Sequence, residues 1–261
     1  MLSAQNSSGQ SVLAWNTTKE DGPFACPECH HAVLLKKGTI KIHHFAHVPP
    51  ITCTYGIGES EMHRRAKVSI YQSLLAHPQI TKLQLERSLG EVRPDISFYF
   101  QTIPIAIEVQ LSTLSLPQIV QRTEAYHRKK VYVLWTPPLD PKSVQEDRYS
   151  PKIWEKFLHM LYFGRVLYWL ADDRLQPIIY DPYEIEVPFS TWYEEGGIER
   201  EEGGYTYFSR RYRTPRLLDA ISITELSPIV RKAWKSETMA IPAAHIWGMQ
   251  SSKRNVTGKM M

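Results

Sequence analysis

The chain has 261 residues, 43% of them hydrophobic and 22% charged, with a formal charge of +4. That length holds one large domain or two to three small ones and can bury a sizeable core. Three cysteines, two of them in a single CxxC, exclude a disulfide framework and point to metal or redox use in a reducing compartment; the mild basicity admits nucleic acid as a partner without selecting it.

Residues 1–20 are polar and read as a short strand and a flexible start. The opening MLSAQNSSGQ has no basic segment followed by an apolar one, so no secretory signal is expected. The longest apolar stretch, MLYFGRVLYWLA, is interrupted by Gly164 and Arg165 and is too short to span a bilayer. A cytoplasmic protein without membrane contact is expected.

Residues 21–58 form a Cys/His-rich module. Cys26-Pro-Glu-Cys29 makes a tight turn, and GTIKIHHFAH returns imidazoles toward it. Choosing His44 and His47 gives C-x2-C…H-x2-H, enough for a closed tetrahedral Zn²⁺ site of structural type. His43 or Cys53 stand as rivals for one position. Lys36, Lys37 and Lys41 flank a hairpin with Gly38 at its tip, which suits either phosphate contact or a solvated basic loop.

From 59 to 76 the pattern is helical, with Met62, Ala66, Ile70 and Leu74 recurring every four residues. Glu59, His63 and Lys67 share one helical line beside that stripe, whereas Glu61 lines up with Arg65 toward solvent. Strands follow at 83–89, 95–100 and 103–111. The last two form a hairpin around Gln101 and Thr102. Ser115-Leu-Pro-Gln118 carries a capping box and an early proline, so a helix starts there and runs to about 128. VYVLW at 131–135 is a buried strand. Residues 139–150 read as a linker, and a helix begins after Pro151. RVLYWL and PIIY are strands turning at Asp172-Asp173. Farther on, EEGGIEREEGG is acidic and glycine-rich, and SRRYRTPR at 209–216 is its basic counterpart. The latter suits either a nucleic-acid strand or charge balance for the acidic loop.

The hairpin carries the most specific chemistry. Asp95 and Glu108 occupy the polar faces of neighbouring strands. Two close carboxylates on a buried sheet repel each other and are costly to desolvate. A hard divalent cation relieves both problems, and Mg²⁺ keeps waters that can serve as nucleophiles. Arg122 and Tyr126 follow at i, i+4 on the next helix. Arg122 fits a phosphate clamp or an ion pair with Glu108 or Glu124 about equally.

RPDI…AIEVQLS, followed by QRTEAY and VYVLW, resembles the PD-(D/E)xK nuclease superfamily. With ACPECHHAVLLKKG…HHFAH and GESEMHRRAK, the chain is similar more closely to the CoiA-like competence protein family, best over residues 24–136. The resemblance implies an α/β fold: a restriction-endonuclease-like core, a central mixed sheet flanked by helices, with an N-terminal zinc-binding module and a C-terminal α+β extension. The expected divisions are 1–58, 59–138 and 139–261. It implies Asp95 and Glu108 as ligands of Mg²⁺ or Mn²⁺, with Glu59 and His63 assisting. Gln110 positions the attacking water where many superfamily members carry Lys. Lys67, Arg122 and Tyr126 hold substrate, and Lys67 is a candidate replacement for that Lys. Cys26, Cys29, His44 and His47 hold structural Zn²⁺.

The resulting expectation is a metal-dependent deoxyribonuclease acting on single- or double-stranded DNA during uptake and recombination, with recombination proteins as partners and self-association left open. Two alternatives stand beside it: a DNA-binding recombination accessory protein that keeps the fold without turnover, and a defence or mobile-element nuclease.

Overall fold

A computed structural model describes residues 1–53, 55–56, 59–109, 114–139, 141, 144 and 147–250. The N-terminal module is a five-stranded sheet of short strands: β1 (Ser3–Gln5), β2 (Ser11–Leu13), β3 (Phe24–Ala25), β4 (Ala32–Lys36) and β5 (His44–His47), in the order β2-β1-β3-β4-β5. Its own core is small, built around Met1, Ala4, Phe24, Val33, Leu35 and Phe45.

Helix α1 (Glu61–Leu75) starts at Ser60, whose Oγ accepts the His63 N–H at 3.1 Å. Glu59 therefore precedes the helix instead of riding on it. Strand β6 (Ile80–Leu85) ends where Glu86 takes a left-handed backbone, φ 53°. The strand expected at 83–89 is thus shifted toward the N-terminus. Strands β7 (Ile96–Phe100) and β8 (Ile103–Glu108) form the expected hairpin, with Gln101 at φ 55° in the turn.

Helix α2 (Leu116–Arg128) begins as its capping box dictates: the Ser115 N–H donates to Gln118 Oε1 at 2.8 Å. It carries the chain over to β9 (Tyr132–Trp135), parallel to β8. A crossover helix is what two parallel neighbours require. Helix α3 (Ile153–Leu161) packs against α2 and leads into β10 (Val166–Ala171) and β11 (Arg174–Val187), which turn at Asp172-Asp173.

Beyond β11 come a hairpin of β12 (Ser190–Tyr193) and β13 (Glu199–Glu202), then β14 (Tyr205–Leu217), which returns antiparallel along β11. Short strands β15 (Ile221–Ser222), β16 (Ser227–Arg231), β17 (Trp234–Lys235) and β18 (Ala240–Ile241) precede β19 (Ala244–Gly248).

The central sheet is mixed and six-stranded, in the order β16-β19-β9-β8-β7-β6. Its pairs β19–β9 and β8–β9 are parallel; the others are antiparallel. The sheet thus draws strands from both sides of residue 138. β19 sits directly against β9 and buries Ile246 and Trp247 in the common core. With β19 on one side and β8 on the other, β9 is an interior strand, and Val133, Leu134 and Trp135 are fully buried.

Candidate active site and candidate metal centre

The β7–β8 register pairs Ile96 with Ile107. Extending it by one residue sets Asp95 opposite Glu108, on the same face of the sheet. Both carboxylates line one cleft of about 440 Å³, together with Glu59, His63, Lys67, Glu86 and Arg122. Asp95 Oδ2 accepts the Val109 N–H at 2.8 Å and meets His63 Nε2 at 3.0 Å; its Oδ1 is 3.7 Å from Lys67 Nζ. Glu108 Oε1 accepts from Tyr126 Oη at 2.5 Å and from the Arg122 guanidinium. The face of the sheet that carries Glu108 is covered by α2, which brings Arg122 and Tyr126 to it.

Lys67 is the hub of the cleft. It is 2% exposed, and its ammonium contacts Glu59, Glu86 Oε1 at 2.6 Å and Asp95. His63 Nδ1 lies 3.6 Å from Glu59 Oε1. Sequence reasoning did not find Glu86. Its carboxylate also accepts the Leu2 N–H at 2.9 Å, the Ser3 N–H at 3.2 Å and the Tyr55 hydroxyl at 2.7 Å. One buried acid thereby ties the first strand of the N-terminal module to α1. A second tie is Arg93, which pairs with Glu28 inside the CPEC turn and lies 4.3 Å over the Tyr55 ring.

Burial by itself would raise every carboxylate here. For Glu86 the Lys67 charge and the donated hydrogen bonds outweigh it, and its pKa falls to about 2. For Asp95, burial is overcome by the charges of His63 and Lys67, and its carboxyl sits well below the ordinary aspartate range. Glu108 goes the other way. Burial dominates, Arg122 only partly opposes it, and the Asp95 charge adds to the rise. That mutual repulsion is felt because the two acids share the cleft.

Among the expected site residues, the structure gathers Glu59, His63, Lys67, Asp95, Glu108 and Arg122 around the cleft, with Tyr126 buried behind Glu108. Gln110 lies outside the described residues. Lys67, expected to hold substrate, is instead enclosed by three acids. Arg122 is also committed: it pairs with Glu108 and donates to the Arg93 carbonyl at 3.0 Å.

In the N-terminal module, Cys26, Cys29, His47 and Cys53 bring four donor atoms within 4.8 Å of one another. Zn–S bonds of about 2.3 Å place tetrahedral sulfurs roughly 3.8 Å apart, so this set fits a Zn²⁺ ion. The Glu28 N–H donates to Cys26 Sγ at 3.4 Å, as a thiolate ligand accepts. Burial raises the Cys26 thiol to about 11, so a bound cation is what would keep it deprotonated at neutral pH. His44 does not join the set, contrary to expectation. His44 and His47 are three apart on β5, and strand alternation sends them to opposite faces. His44 Nδ1 instead lies 2.8 Å from the Ile42 carbonyl oxygen, and Cys53 supplies the fourth donor.

The basic segment after the acidic loop is largely used internally. Arg216 Nε pairs with Asp181 at 2.6 Å, Arg213 donates to the carbonyls of Ser209 and Tyr212, and Tyr212 lies under Arg148. Among the described residues, no helix is long and apolar enough to cross a membrane.

A Cys/His group with the spacing to hold a metal ion, set ahead of an acidic cleft on a mixed sheet, describes a nuclease-like protein. Comparison with known families agrees. Residues 6–56 match the family described as Competence protein CoiA, N-terminal domain, and residues 59–165 match Competence protein CoiA, nuclease-like domain. The chain belongs to the CoiA-like family. Competence protein CoiA of Bacillus subtilis (strain 168) is 27% identical over 113 residues, which is 43% of this chain and 30% of that protein; the chain thus covers less than a third of the relative's length. No solved structure matches the chain.

Proposed function

We propose that the cleft is the active site of a metal-dependent deoxyribonuclease with a restriction-endonuclease-like core, acting on DNA taken up or processed during competence, in company with recombination proteins. The convergence of Asp95 and Glu108 on one side of the cleft carries this reading. The donor set fits a hard cation: two carboxylates on adjacent strands, one of them destabilised as an anion by burial and by the other. Asp95 and Glu108 are the residues that would hold Mg²⁺ or Mn²⁺, which take carboxylate oxygens and retain waters. When bound, such an ion activates water and neutralises charge on a scissile phosphate. The chain's own groups do the positioning. Lys67 fixes Glu59 and Asp95, His63 holds one Asp95 oxygen, and Arg122 orients Glu108 at the cleft wall.

One observation favours a second reading, DNA binding without turnover. Both acids already have cationic or proton-donating partners, Lys67 and His63 for Asp95, Arg122 and Tyr126 for Glu108. The test is cleavage of linear and single-stranded DNA with Mg²⁺ or Mn²⁺ by the wild type, Asp95→Asn and Glu108→Gln. The nuclease reading expects a loss on the order of 100-fold in each variant with DNA binding retained. Wild-type binding without cleavage at any metal concentration would establish the second reading.

A further inference from the structure

Strands β11 and β14 continue beyond the body of the protein into a β12–β13 tip, and every residue from 188 to 202 is exposed. The tip is built rather than loose. At Gly203, φ 95°, a Cβ would sit 2.0 Å from the Pro188 carbonyl oxygen, so only glycine lets the chain turn from the hairpin into β14. Large apolar side chains stand in solvent along it: Phe189 (61% exposed), Trp192 (42%), Tyr193 (69%) and Ile198 (55%). So many large apolar groups left in solvent on one short hairpin suit an interaction surface. The same segment is strongly acidic, with seven glutamates and one arginine between 184 and 202, and Arg200 is held by Glu194 at 3.3 Å. A nucleic acid would be repelled by it. Its partner must be basic, with an apolar floor.

The N-terminal module has such a surface. A groove of about 970 Å³ runs along β4 and the following hairpin, with Lys19, Lys36, Lys37 and Lys41 around it and no carboxylate among its lining residues. Its floor is aliphatic, and Leu34 and Ile40 are 51% and 84% exposed. Single-stranded nucleic acid binds by stacking on exposed aromatic faces; Phe24, the aromatic ring here, is buried. An aliphatic floor under a ring of lysines suits an acidic polypeptide with aromatic side chains. His44, displaced from the metal cluster by strand alternation, lies on this face.

We propose that the acidic aromatic tip of β12–β13 docks into the lysine-rimmed groove of a second copy of this chain. Opposite charge steers and registers the contact, and the apolar groups of both surfaces leave water together. Each copy carries one tip and one groove, so two copies exchanging tips close a two-fold dimer.

Charge reversal on either side, followed by mixing, tests this. One variant carries Glu194→Lys, Glu199→Lys and Glu201→Lys; the other carries Lys36→Glu, Lys37→Glu and Lys41→Glu. Light scattering at high micromolar concentration should give twice the chain mass for the wild type and one chain mass for each variant alone. An equimolar mixture should recover twice the chain mass, since both contacts of the mixed pair are complementary. All substitutions are on exposed positions away from the acidic cleft, and circular dichroism of each variant checks that the fold is intact. A wild-type monomer, or variants that fail to restore association on mixing, overturns the proposal. So does a groove variant that loses binding to a single-stranded oligonucleotide while its mass stays that of the wild type.

Discussion

Lys67 Nζ lies 2.6 Å from Glu86 Oε1 although helix α1 and the end of β6 place the two residues nineteen positions apart. Both residues are largely buried, Lys67 at 2% and Glu86 at 6% exposure. The pair is also the joint between the two halves of the molecule, since Glu86 receives the backbone N–H groups of Leu2 and Ser3. Removing Lys67 would leave Glu86, Glu59 and Asp95 facing one another without their shared cation. Breaking a buried ion pair on one side costs about 3–5 kcal/mol. Lys67→Met should lower unfolding stability by that amount in urea titrations. Adding Glu86→Gln should recover part of the loss, because the second change removes one of the stranded charges. Independent, additive losses in the double variant would contradict the network.

The same pair sets an acid limit. Glu86 ionises near 2 in the folded chain against an ordinary 4.5, and Asp95 is depressed as well. A carboxyl whose folded pKa is lowered contributes stability that is complete above its unfolded pKa and disappears as pH falls toward the folded one. Glu108 works in the opposite sense, because its carboxyl is raised. With two groups lowered and one raised, urea midpoints should fall between about pH 4.5 and pH 2. In Glu86→Gln the slope over that window should be shallower. An unchanged slope would mean Glu86 is not held ionised by Lys67.

Much of this arrangement was legible beforehand, for identifiable reasons. Asp95 and Glu108 stood out because strand alternation fixes faces and a hairpin fixes neighbours; their register needs no long-range information. The start of α2 followed from Ser115, whose capping is local, whereas α1, expected from 59, begins only after the Ser60 cap. Glu59, preferred over Glu61 as a residue of the helical face, lies instead before the Ser60 cap, where its carboxylate meets Lys67. Glu86 was invisible because a single Glu in LQLERSL looks solvent-facing. Its role comes from residues 2, 3, 55 and 67, which no local pattern connects to it. The pairing of β19 with β9 was hidden for the same reason. A strand's apolar pattern says that it is buried but does not name its neighbour, and these two are separated by more than a hundred residues.

Another buried acid, away from the cleft, offers an independent test. Glu155, 2% exposed on α3, accepts from the hydroxyls of Tyr168 at 2.6 Å, Tyr149 at 2.9 Å and Tyr180 at 3.3 Å, and from the Lys152 N–H at 2.6 Å. This cluster anchors the β10–β11 ribbon to the helical layer. Glu155→Ala removes the acceptor of several buried donors at once, each costing about 1–3 kcal/mol if left unsatisfied. Thermal unfolding should show a loss of at least 2–3 kcal/mol on that scale, with Glu155→Gln milder because its amide oxygen still accepts. Equal losses in the two variants would show that volume, not acceptance, matters there.

The metal cluster separates two ligand assignments that differ by one residue. Strand parity takes His44 away from Cys26 and Cys29, and Cys53 lies with them instead. Zinc content of the purified protein should therefore fall in Cys53→Ser and stay at the wild-type level in His44→Ala. Stability should follow the metal. The module buries only a small cluster around Phe24 and Phe45, and a core of that size depends on a staple. Chelation should loosen the module, releasing the protection of β1 amides in hydrogen exchange, and with it the Leu2 and Ser3 donors that Glu86 requires. Full zinc content in Cys53→Ser together with loss in His44→Ala would return the fourth position to the histidine.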